Sequence, residues 1–292
     1  MTSLPDQQEL RGLAYGVCGV IIFSITLPAT RIALTEFDPI FVGLGRALAA
    51  AMLSLILLLA TRQPLPHWRF LPSFLVVIMG GIVGFPLLST LAMQNASASH
   101  GAVIIGLLPL ATALFAVWRA RERPSLTFWL FAIAGSSLVI IFALVSGKGM
   151  IQVSDLALLG AVGTASFGYA EGAILARTFG SWQVVCWALV LAFPFVLPIV
   201  WQYAPDTLPS VFSGAGLGFW YISFFSMFFG FVAWYRGLFL GGIARVGQLQ
   251  LFQPFLTILA SALILGEPMT ISTLGFAGGV LLCVALGRRS QF

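Results

Sequence analysis

The chain has 292 residues, of which 60% are hydrophobic and 8% charged, against about 25% charged in a soluble domain. So much apolar surface cannot be hidden in a soluble core, which leaves a polytopic membrane protein. The net charge of +5 would suggest nucleic acid in a soluble chain, but the basic residues fall between apolar runs and no RNA-binding motif occurs, so no nucleic-acid partner is expected.

A spanning helix needs roughly 20 apolar residues. Breaking the chain at charges and at Pro, Gly, Asn and Ser clusters predicts ten, over 11–33, 39–60, 70–92, 99–117, 126–145, 155–177, 182–202, 214–235, 245–264 and 270–287. The fold class is all-α integral membrane, because a bilayer leaves open backbone groups unsatisfied and the runs lack β-barrel alternation. The polar stretch Met1–Arg11 carries no cleavable signal pattern, so the first run is expected to remain as a helix.

In chain order, helix one carries Gly12 and Gly16, a spacing that permits close helix contact. Gly80/Gly84, Gly237/Gly241 and Gly275/Gly279 repeat it. Helix two starts at Pro39 and holds Arg46 about 10 Å along its axis. Arg46 either grips a substrate carboxylate bidentately, or reaches the outer interface or pairs with Glu36 or Asp38. Phe85 in helix three is a candidate stacking surface. Between helices three and four, Asn95 is a candidate binding group, Ser97 or Ser99 a helix cap and His100 an interfacial or proton-linked residue. Pro109 in helix four frees the carbonyl of Ile105.

Helix six contains Tyr169, a second stacking candidate. It also contains Glu171, sixteen residues past Asp155 and so about 24 Å in. Glu171 reaches water or an arginine, or couples protons. Helix eight is crowded with aromatics, and Trp220 and Trp234/Tyr235 are expected as interfacial anchors. Helix nine carries Gln248, Gln250 and Gln253, the last two on one face, ahead of Pro254. Symmetric kinks at Pro109 and Pro254 would open a midplane cavity. Cys18, Cys186 and Cys283 lie inside apolar runs without metal spacing and are expected as buried hydrophobes.

With a cytoplasmic N-terminus, eleven arginines face the cytoplasm and two basic residues, Arg31 and Lys148, the other side. That bias places both termini in the cytoplasm. Two phrases repeat, "ALFAVWRARERPSL" and "ILASALILGEPMTI". Glu122 and Glu267 are 145 residues apart, as are Pro109 and Pro254, while Phe23 pairs with Phe167 and Arg31 with Arg177 at 144 and 146. A duplicated five-helix unit, 1–147 and 148–292, follows. Five is odd, so the second copy is inverted, and its Glu-Pro loop lost the arginines that flank Glu122 because it faces outward.

These residues resemble the ten-helix EamA-type exporters of the drug/metabolite transporter superfamily. The resemblance runs through "TLAMQNASASHGAVIIGLLPLATALFAVWRARERPS" and "VAWYRGLFLGGIARVGQLQLFQPFLTILASALILGEPMT", and Arg46 matches an arginine common in the family's second helix. It implies export of small metabolites, often amino acids, from a cavity between the halves. The second half departs from the family in having Gln253 where an acidic residue usually precedes the helix-nine proline. The expected function is a secondary transporter of small neutral metabolites, amino acids including aromatic ones, working as a monomer in a bacterial-type inner membrane with no cofactor. No nucleotide-binding loop, G-x-S-x-G or H-E-x-x-H is present, and no filter-like segment. An intramembrane enzyme and a channel are the rival classes.

Overall fold

Ten apolar helices dominate the described residues, which in this computed structural model are 7–120, 125–146, 149–207, 209–241 and 246–289. They are α1 (Gln7–Ala33), α2 (Pro39–Ala60), α3 (Trp68–Met93), α4 (Ala98–Ile105 and Leu108–Ala120) and α5 (Leu126–Ser146). The second five are α6 (Val153–Phe179), α7 (Ser181–Gln202), α8 (Gly214–Gly241), α9 (a 3-10 turn Gln248–Phe252 and then Gln253–Leu265) and α10 (Ile271–Arg289). Seven are long and apolar enough to cross a membrane, and α4, α9 and α10 contribute the shorter apolar stretches Ala98–Thr112, Leu249–Leu265 and Ile271–Gly287.

Local chemistry sets the ends. Asp38 caps α2 by accepting from the Ile40 amide at 2.7 Å, with Pro39 in the first turn where its missing N–H costs nothing. Ser97 caps α4, accepting from the His100 amide at 3.1 Å, and Ser213 caps α8 through Gly216 at 3.1 Å. Gly266, at φ 68°, closes α9 in the left-handed conformation that only glycine adopts freely.

Every helix finds its principal partner in the other half of the chain. α1 packs most extensively on α8 and α3 on α6, two pairings that exchange under a twofold relation between the halves. α2 packs on α7 and α5 on α10, pairs that map onto themselves. The paired helices run antiparallel. A Cβ at Gly12 would lie 2.3 Å from the Gly241 amide nitrogen, one at Gly237 2.8 Å from that of Gly16, and one at Gly230 2.8 Å from the Phe23 ring. In α3 and α6 the same order holds, with Gly80 against Thr164 and Gly168. The glycine pairs therefore serve internal packing, as expected, except Gly275, which has no neighbouring atom within 4 Å. The face on which α1 begins and α10 ends is here the terminal face.

Two expectations fail, and one pair of residues related by the repeat spacing differs in surroundings. Trp234 and Tyr235 are 2% and 1% exposed, not interfacial anchors. They sit at the α8 crossing with α1 and α6, where Tyr235 donates to the Gly168 carbonyl at 3.2 Å. Cys18 is exposed on α1, so only Cys186 is a fully buried hydrophobe. Phe23 is buried in the centre while Phe167 is 44% exposed against Phe115, so their sequence pairing is not a pairing of environments. Glu122 with Arg121 and Arg123, Lys148 and Arg245 lie outside the described residues.

Candidate functional site

Five of the helices are irregular at mid-depth. Pro28 has no N–H to complete its turn in α1, where helix breaks between Ser24 and Thr26. α3 carries a π-type turn over Ile78–Gly84 shortly before Pro86, and α8 one over Tyr221–Gly230. α4 is interrupted at Gly106 and Leu107, and α9 changes from 3-10 to α geometry at Gln253. The expected kinks at Pro109 and Pro254 are thus interruptions, each proline sitting in the first turn of a new segment, where it is best tolerated. The two interruptions touch: a Cβ on Gly106 would lie 3.3 Å from Pro254 Cγ.

Around this crossing lies a cavity lined by Phe23, Thr26 and Leu27 of α1, Arg46 of α2, Gly81, Phe85 and Pro86 of α3, Ile105 of α4, Tyr169 of α6, Ser226, Met227 and Phe231 of α8 and Gln253 of α9. Its free volume is about 20 Å³, room for one water molecule. The side chains must part before a metabolite fits. Three rings form one wall, Phe23 and Phe231 at 5.4 Å between centroids, Tyr169 and Phe231 at 5.8 Å, and Phe23 and Tyr169 at 6.4 Å. Thr26 and Ser226 hydroxyls bond at 2.9 Å across the halves.

Among the described residues, Arg46 is the only charged side chain in this lining, and it is 1% exposed. Its Nε and Nη2 have no hydrogen-bond partner, and neither does Oε1 of Gln253. The alternative in which Arg46 reaches the interface or pairs with Asp38 is corrected: the carboxylate of Asp38 is spent on capping α2, and the guanidinium turns inward. A buried guanidinium without a partner is costly, so a structure retains one where a ligand completes it.

Of the other candidates, Phe85 and Tyr169 join Arg46 and Gln253 at the cavity. Gln250 is 4% exposed with Nε2 unpartnered but lies outside the lining. The side chain of Gln248 is outside the described residues. Asn95 and His100 belong to a polar cleft at the face opposite the termini, with Ser97, Gln152 and Thr273. There His100 Nε2 meets Asp155 Oδ1 at 2.6 Å and its ring stacks on Phe142 at 4.9 Å. Glu171, 4% exposed, accepts from Ser73 Oγ at 2.5 Å, joining α6 to α3 near the terminal face. Neither titratable group reaches the cavity. Sequence reading missed Thr26, Ser226 and the cavity role of Phe23, and did not single out Phe231 among the aromatics of α8. A polar Ser226 within the run "FFSMFF" was the available signal.

The EamA-like transporter family matches the chain twice, over residues 10–146 and 152–287. A Bacillus subtilis (strain 168) protein described as an uncharacterized transporter, YdeK, is 48% identical over 278 residues, covering 95% of this chain and 97% of that one. An uncharacterized transporter of Archaeoglobus fulgidus is 24% identical over 280 residues, covering 93% and 96%. A crystal structure with 16% identity superposes with a TM-score of 0.67 over 94% of this chain and 95% of the other, a likeness of fold.

Proposed function

Since the chain belongs to the EamA-like transporter family, we propose that it is a secondary transporter exporting small neutral amino acids, aromatic ones included, by alternating access. The observation that carries this reading is Arg46, a buried, unpartnered guanidinium in a cavity with an aromatic wall. A guanidinium fork matches a carboxylate bidentately. Gln253 Oε1 is a free acceptor for an ammonium, and Phe23, Tyr169 and Phe231 offer ring faces to an apolar side chain. Interrupted helices that meet at mid-depth between inverted halves are a recurring plan for carriers. The direction of transport rests on the resemblance to exporters. The contracted cavity supports a carrier that opens to one face at a time over a standing channel.

The test is uptake of labelled neutral amino acids into proteoliposomes, with Arg46→Gln and Gln253→Ala. Loss of a charge-assisted bond is worth about 1.5–3 kcal/mol, so Arg46→Gln should raise the half-saturation concentration by about tenfold or more. Gln253→Ala should raise it less, by about threefold to tenfold. Unchanged transport by Arg46→Gln would remove the carboxylate anchor and with it this reading.

A further inference from the structure

The charge of the cavity is unbalanced. Arg46 stays protonated in any protein environment. Among the described residues, none of the side chains lining the cavity is acidic. Among the described residues, the buried carboxylates and the half-buried Glu267 are engaged elsewhere: Asp155 with His100, Glu171 with Ser73 and Glu267 with the amides of Ala98 and Ser99. An amino acid would satisfy Arg46 with its carboxylate and then leave its own ammonium about 5 Å from the guanidinium, facing only a neutral amide oxygen and ring faces. At an effective dielectric of about 20, that like-charge repulsion is worth roughly two orders of magnitude in affinity. Gln253 Oε1 and the rings recover part of it.

We propose that the preferred ligand class is the monocarboxylate that lacks an ammonium and carries an apolar or aromatic body, and that neutral amino acids bind the same site more weakly. Closing around such an anion buries a neutral pair and leaves no net charge in the sealed cavity. The inference rests on the reading of Arg46 as the carboxylate anchor.

Three probes of one shape decide it: 3-phenylpropanoate, phenylalanine and 2-phenylethylamine, each measured for direct binding to the purified protein and for transport in proteoliposomes. The expected order is 3-phenylpropanoate about tenfold tighter than phenylalanine, with the amine not binding. Arg46→Gln should collapse the difference between the first two, and Arg46→Lys should keep it. If phenylalanine binds and 3-phenylpropanoate does not, this proposal is overturned and the amino-acid reading stands. If only 3-phenylpropanoate binds, the amino-acid reading falls and the proposal stands. Preference for the amine, or binding of none of the three, overturns both.

Discussion

At the scale of single residues, one atom separates tolerance from failure. The α1–α8 crossing leaves no space for a side chain at Gly12, whose added Cβ would sit 2.3 Å from backbone of Gly241. Backbone cannot swing aside as a side chain can, so the helices must separate. Gly12→Val is expected to cost about 3 kcal/mol and to lower the thermal midpoint in detergent, while Gly275→Val, in open space, leaves it nearly unchanged. Equal midpoints would show that the crossing is not this tight. Arg46 shows the opposite economy. Seven residues past Pro39, it is 1% exposed and lines the cavity, to which α7, the main partner of α2, contributes no side chain among the described residues.

At the scale of elements, Glu267 does what its sequence repeat did not announce. It leaves the end of α9 and accepts from the amides of Ala98 and Ser99, both at 2.9 Å, at the start of α4. A carboxylate there satisfies two orphan donors and complements the helix dipole. Glu267→Ala should cost about 1–2 kcal/mol, read as a lower unfolding midpoint, and Glu267→Gln about half of that. No difference between wild type and Glu267→Ala would mean water replaces the cap without loss. Pro254 acts on shape. Its replacement by alanine supplies a donor for the Gln250 carbonyl, letting α9 run on as one helix and drawing Gln253 off the cavity. Transport by Pro254→Ala is expected to slow about threefold to tenfold at an unchanged unfolding midpoint, and a normal rate would make the interruption incidental.

At the scale of the molecule, the halves are not side-by-side modules, since each helix leans on the other half and one core runs through both. The same arrangement puts Arg31 against the carbonyls of Met93 and Ala96, holding the end of α1 to the α3–α4 turn at the face opposite the termini. From the charge partition the terminal face is expected to be the cytoplasmic one. A cysteine at Arg289 should then be shielded from an impermeant thiol reagent in intact cells, and one at Asp206 labelled. The reverse pattern would invert the orientation.

Helix number, order and approximate limits were legible in the sequence, because a bilayer admits only long apolar runs and caps and prolines mark their ends. So was the inverted duplication, since the Glu and Pro spacing kept its period while the arginines did not. Arg46, Gln253, Phe85 and Tyr169 could be named as candidates, because polar or aromatic residues inside spans are few. Which of them share a cavity was decided only by tertiary structure. Azimuth about each helix depends on irregular turns that shift every later side chain, and only the packed helices put Gln253 but not Gln250 on the cavity and Ser226 beside Thr26. The direction of Arg46 likewise had two local solutions, interface or interior. The capping of α2 by Asp38 and the packing of α2 on α7 selected the second.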